Sequence, residues 1–232
     1  MTDHDSDPYA PPRAPLGPED PDQVGHPWRE IWKGPRSTIR RIVDTDPSRG
    51  VVLLAAFSGI GGVLGELFRL HAGDDMSMGA ILGMAACVGS IGGVVGIYAF
   101  GVLFAWTGRW LGGQGSWREV TAALAWGSVP NVAVLVPMGL TILAVGEGFF
   151  RTNGLAGAPE GLAPLLTALT LAMMVMAIWS AYLKVVCVAE VHRFSAWRGL
   201  GAILLGLTSF VAAYLLIATV VLGGRFPAEG GP

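Results

Sequence analysis

Residues 79–106 read GAILGMAACVGSIGGVVGIYAFGVLFAW. No charged residue interrupts them. A helix needs about 20 apolar residues to cross the hydrocarbon core of a bilayer. This stretch exceeds that, and as a straight helix it would be about 42 Å long. It must therefore tilt, kink or project from the membrane. Four further stretches of membrane length lie on either side, at about 48–70, 119–145, 162–187 and 198–222. The fold class that follows is all-α: a polytopic helical membrane bundle of five transmembrane helices over residues 47–222.

Composition agrees. Of the 232 residues, 52% are hydrophobic and only 14% charged, with a mean hydropathy of +0.55. An average soluble domain carries about 25% charge. These figures argue against an ordinary soluble enzyme, a disulfide scaffold and a disordered chain.

The net charge of −2 hides a gradient. Residues 1–26 hold six acids and one base, together with six prolines. Such a segment cannot bury enough apolar surface to offset chain entropy, so a disordered acidic tail is expected there, and a short disordered tail over 223–232. Its acidic start, with no apolar run behind it, does not read as a secretory signal. Residues 27–50 hold six bases and three acids. A basic block just before the first apolar run is a juxtamembrane signature, and nucleic acid is not an expected partner.

Loop charges set an expected orientation. With the N-terminus inside, twelve Lys and Arg fall on inner segments and three (Arg69, Arg151 and Arg225) on outer ones. That is the positive-inside asymmetry, N-in and C-out. Trp28, Trp32, Trp106, Trp110, Trp117 and Trp197 would then line the inner boundary. The scarcity of Lys beside Arg suits a GC-rich bacterial source, and hence a bacterial cytoplasmic membrane.

The segment 27–46 is amphipathic. At 100° per residue Trp28, Ile31, Trp32, Pro35, Ile39, Ile42 and Val43 share an arc of about 120°, with Arg29, Lys33, Arg36, Arg40 and Arg41 opposite. Gly34-Pro35 should break the helix, and Pro35 can start a second one at its first position. The apolar phase survives the break. The segment reads as an interfacial helix on the inner leaflet; the alternative is a helix docked on the protein's own loops. Arg36, Arg40 and Arg41 would each contribute about 1 kcal/mol near anionic lipid.

The third stretch contains Trp126-Gly127-Ser128-Val-Pro130-Asn131. Pro130 frees the carbonyl of Trp126, and Asn131 must face protein or water rather than lipid. A hinge or small polar site is one reading, a packing kink with Asn131 bonded to a neighbouring helix the other. Asp46-Pro47 should cap the first span. Glu66 and Arg69 should pair at its outer end. Small-xxx-small pairs at Ser58/Gly62, Gly61/Gly65, Gly89/Gly93 and Gly92/Gly96 allow close helix packing, within one chain or in a homo-oligomer. His71, Asp74 and Asp75 read as a solvated outer loop rather than a metal site. Cys87 and Cys187 should lie too far apart to pair. No H-E-x-x-H, Cys-x-x-Cys or G-x-S-x-G pattern occurs, so no catalytic site, metal or cofactor is expected.

Three stretches resemble the Yip-domain family of Ypt/Rab-interacting membrane proteins, in its bacterial form. Pro27-Trp28-Arg-Glu-Ile-Trp32-Lys-Gly34-Pro35-Arg36-Ser-Thr38-Ile-Arg40 is similar to the family's Trp-x-x-Ile…Pro-Arg-x-Thr segment. Pro130 after Ala125-Trp126 is similar to the family's third-span proline. Trp179 with Ala189-Glu190-Val-His192-Arg-Phe194-Ser195 is similar to the run joining the last two spans. The resemblance covers 27–222 and implies five spans, a cytosolic N-terminus and non-enzymatic scaffold or adaptor work. Ile31-Trp32-Lys33 stands where eukaryotic members carry Asp-Leu-Tyr before Gly-Pro, so direct Rab binding is not implied. The expected binding surface for lipid or a protein partner is Trp28, Trp32, Gly34, Pro35, Arg36, Arg40 and Arg41 with Glu190, His192 and Arg193. A small-solute channel or transporter using the broken third span is the alternative function.

Overall fold

A computed structural model of the chain describes residues 26–154 and 159–223. The two expected tails fall, but for residues 26 and 223, outside the described residues. Among those described, every regular element is helical. Two short helices, α1 (Pro27–Glu30) and α2 (Pro35–Thr45), precede five spans. The first span is α3 (Val51–Arg69). The second runs from α4 (Met78–Met84) through a π-turn (Ala85–Gly89) into α5 (Ser90–Trp110). The third comes in three pieces, α6 (Trp117–Gly127), α7 (Val129–Ala133) and α8 (Leu135–Val145). The fourth is α9 (Ala163–Val191) and the fifth α10 (Ala196–Gly223). All five are long and apolar enough to cross a membrane. Val175, Ile178, Tyr214, Leu216 and Val220 are each more than 60% exposed. Such an outward apolar surface belongs against lipid, where helices satisfy their own backbone groups.

Local chemistry sets the helix boundaries. Pro35 opens α2 after the Gly34 break. A reciprocal capping box opens α6: Glu119 N–H donates to Ser116 Oγ at 3.3 Å, and Ser116 N–H to the Glu119 carboxylate at 2.6 Å. The first span starts later than Asp46-Pro47 suggests. Asp46 does not cap it; its carboxylate accepts from the Ser48 N–H and hydroxyl, closing a turn. Gly50, at φ 71°, then turns the chain into α3 at Val51. A side chain would be strained in that left-handed conformation.

One glycine pair closes α3 on the second span. A Cβ on Gly59 would lie 2.0 Å from the Gly89 carbonyl, and one on Gly93 2.2 Å from that of Ala55. Gly62, Gly65, Gly92 and Gly96 have nothing that near. The small-residue spacing thus serves packing within the chain at Gly89/Gly93.

Two apolar clusters fill the bundle. One joins Ile31, Ile39 and Ile42 to Leu54, Val120, Trp126, Leu183 and Val188. The other joins Leu64, Leu67 and Ile81 to Met138, Phe149 and Phe150. They divide the molecule into a basic end, where α1 and α2 meet the α5–α6 and α9–α10 connections, and a far end.

Candidate functional site

The amphipathic segment sits on the basic end. Its apolar face is not left free for lipid: Ile31 and Ile39 are 0% exposed, and Ile42 and Val43 are buried too. α2 packs on α6 and α9. The docked arrangement, not a free interfacial helix, is the one observed. It wins because a preformed apolar surface on the same chain is always at hand, and covering it removes both faces from water.

The basic face is engaged as well. Arg36 donates to Glu190 at 3.1 Å. Arg40 donates through Nη2 to the Glu190 carboxylate at 2.8 Å and to the Glu190 carbonyl at 2.6 Å. Arg41 pairs with Glu30. The three arginines expected to face lipid are therefore in ion pairs within the chain. Glu190 gathers two of them at the last turn of α9, where cations also meet a helix C-terminus favourably.

Tryptophans lock the segment from the side. The Trp126 indole is buried and donates to the Arg49 carbonyl at 3.0 Å. Trp28 meets it edge-on with centroids 5.6 Å apart. Trp126, expected in a loosened turn, instead clamps α1 and the turn before α3. Trp32 is half-buried on the same cluster.

His192 is 1% exposed and so forms no part of an open docking surface. Its ring stacks on Phe194 with centroids 5.0 Å apart. Nδ1 accepts from Gly115 N–H at 3.2 Å, which puts the proton of the neutral ring on Nε2. Nε2 has no hydrogen-bond partner among the described residues. A Cβ on Gly108 would lie 2.3 Å from Nε2, and one on Gly113 2.4 Å from Nδ1. The glycines of the α5–α6 connection thus make room for an imidazole that joins it to the α9–α10 connection. Burial pushes the His192 pKa down from its ordinary value; Arg109 acts in the same direction, while the Phe104 carbonyl and Glu119 oppose. Arg193, at φ 58°, is exposed beside it.

The third span breaks at Ser128 and Val134. The carbonyl that another helix rescues is that of Gly127, which accepts from Ser180 of α9 at 2.9 Å. A Cβ on Gly127 would lie 2.9 Å from the Lys184 backbone, so the two helices touch there. Ser128 Oγ donates to Leu124 within its own helix. Pro130 is buried. Asn131 is half-buried, and its side chain makes no hydrogen bond among the described residues.

At the far end Asp74 accepts from the hydroxyl of Thr152, which holds its carboxyl below the usual range. Among the described residues no three His, Cys, Asp or Glu side chains gather as metal ligands. Cys87 is exposed, Cys187 buried, and both are free thiols.

One feature open to a partner at the basic end is a shallow cleft of about 320 Å³ over the Gly34 break, lined by Arg29, Glu30, Lys33, Gly34, Ser37 and Thr38. Exposed Trp106, Trp110 and Trp197 flank that end, as at a membrane–water boundary. Glu190 as the anchor, and His192 as a buried joint, are what sequence reasoning missed. The glycines at 108, 113 and 115 facing one histidine were the available signal.

A family model for the Yip1 domain matches residues 29–220. No curated protein and no solved structure matches the chain.

Proposed function

The chain belongs to the Yip1-domain family, and from that premise we propose that it is a non-enzymatic membrane-organising scaffold or adaptor whose basic end is the docking face. One observation carries the reading. Glu190 fixes Arg36 and Arg40 across more than 140 residues of chain, so the α1–α2 hairpin is a preorganised surface and not a floating arm. Preorganisation lowers the ordering cost of binding. The hairpin presents the cleft at Gly34 with Arg29 and Lys33 exposed, and Arg193, after the last turn of α9, is exposed too. The charge asymmetry of the loops supports a cytosolic side for this end, in a bacterial cytoplasmic membrane. The partner reached there is a cytosolic or membrane protein with an acidic face.

The channel reading draws less support, because the break in the third span is closed by Ser180 and by direct contact with α9. The test places a photo-crosslinking residue at Lys33, at Arg193 or at Glu147 in native membranes. A discrete protein adduct from the first two positions and not from the third supports docking at the basic end. Adducts that are absent there, or equal at both ends, overturn it.

A further inference from the structure

Beside the docking hairpin lies a second cleft, of about 390 Å³, between the turn before α3, the middle of α5 and the start of α6. Its lining is graded. Asp46, Ser48 and Arg118 supply polar groups from the span ends; Val51, Tyr98 and Trp117 supply apolar and aromatic surface from the spans. A pocket that is polar toward the connections and greasy toward the bilayer fits a molecule built the same way.

The charges narrow the class. Arg118 is exposed and makes no ion pair among the described residues; its guanidinium lies 5.3 Å from the centroid of the Trp117 ring. That contact leaves its planar fork free for a phosphate. Asp46 also lacks a cationic partner within ion-pair distance among the described residues. Its carboxylate direction is set by the Ser48 N–H at 2.9 Å and the Ser48 hydroxyl at 2.6 Å. Those bonds also keep it ionised. One cation and one anion thus share a cleft without neutralising each other.

We propose that this cleft binds the headgroup of a zwitterionic phospholipid, with the phosphodiester on Arg118, the ammonium on Asp46, and the glycerol end against Tyr98 and Val51. A purely anionic headgroup would meet Asp46 as a like charge. The proposal stands whether or not the α1–α2 hairpin docks a protein, and on whichever side of the membrane the basic end lies.

The test is native mass spectrometry of the delipidated full-length protein in detergent. Phosphatidylethanolamine and phosphatidylglycerol with the same acyl chains are added in turn. The wild type should retain phosphatidylethanolamine about tenfold better, the scale of one charged hydrogen bond. Arg118→Gln should lower retention of both lipids about tenfold, and Arg118→Lys should restore part of it. Asp46→Asn should abolish the preference while leaving binding. Arg151→Gln, at the far end, should change nothing. Excess glycerophosphoethanolamine should fail to displace the lipid; full displacement at lipid-like concentrations would assign the site to a soluble phosphate ester and overturn the proposal. Equal retention of the two lipids by the wild type would overturn it too. So would wild-type behaviour of both cleft variants. If one variant does not fold, the other and the wild-type preference still decide.

Discussion

At the basic end Glu190 holds Arg36 and Arg40, partners 154 and 150 residues away. At the far end Glu66 holds Arg69 and Glu147 holds Arg151, partners three and four residues away. The residue types are the same and the consequences differ. The distant pairs decide where a separate helical hairpin lies, and Glu190 is largely buried in doing so. The local pairs are exposed and decorate a helix turn that would form without them. The far end is tied instead by the Phe68–Phe149 stack and by Arg151 donating to the Gly73 carbonyl at 3.2 Å. Both ends combine aromatic packing with hydrogen bonds, but only the basic end adds ion pairs between residues distant in the chain. A surface that must keep one shape for a partner gains from such distant pairs.

The comparison can be strained hardest at a glycine. Gly108→Val forces atoms into the His192 ring, because even a Cβ would lie 2.3 Å from Nε2. Overpacking of this kind costs about 3 kcal/mol. A large drop in melting temperature in detergent is expected, with the two connections undocked. Gly139→Ala, which meets nothing within 4 Å, should leave the melting temperature unchanged or slightly raised. Equal effects would mean that the two connections are not joined through His192.

The next largest effect is expected at the anchor. Glu190→Gln keeps an acceptor but leaves Arg40 without its charge partner, a loss of about 1–3 kcal/mol for a partly buried charged hydrogen bond. Trypsin should then cut proteoliposomes after Arg36, Arg40 or Arg41 several-fold faster than in wild type. Unchanged cleavage would show that the apolar face of α2 alone holds the hairpin.

Much of this architecture was legible. Five apolar runs announce five spanning helices, and the phase of Ile31, Ile39, Ile42 and Val43 across Gly34-Pro35 correctly marks the face that is buried. What a phase cannot say is which surface will cover it. An amphipathic helix has the same pattern on lipid as on protein, and only the fold brought α6 and α9 beneath it. Glu190 was visible as an acid in an inner connection, but nothing local links it to arginines so far back. His192 read as part of an open docking surface because polar side chains in short connections are usually exposed, yet it is buried. The start of α3 was misplaced because Asp46 has a closer client in Ser48, and because a left-handed Gly50 is invisible until the turn is built.

A smaller effect should separate the ends by pH. The neutral His192 is favoured in the folded state, since burial holds its pKa below the ordinary 6.5. The unfolded chain then binds the proton more readily. The stability it contributes is complete above 6.5 and is lost as pH falls through that value to the lowered native one. Protonation would also set an N–H on Nδ1 against the Gly115 N–H. The melting temperature should therefore fall as pH drops below about 6.5. His192→Asn, which can still accept from Gly115, should flatten that slope. An unchanged slope would move the pH response elsewhere.

The smallest effect expected is none at all, and it is the one that separates position from chemistry. Glu66→Gln and Glu147→Gln each remove half of an exposed pair within one helix or turn. Both carboxylates keep water as an alternative partner, so breaking the pair strands no charge in a dry site. Melting temperatures within experimental error of wild type are expected, at low salt and at high. Glu190→Gln should behave differently in both respects: a clear loss, and one that salt only partly masks, because the pair is shielded by α2 and α9. If the far-end variants lost as much stability as the anchor variant, sequence distance between partners would not be what sets the worth of an ion pair in this bundle.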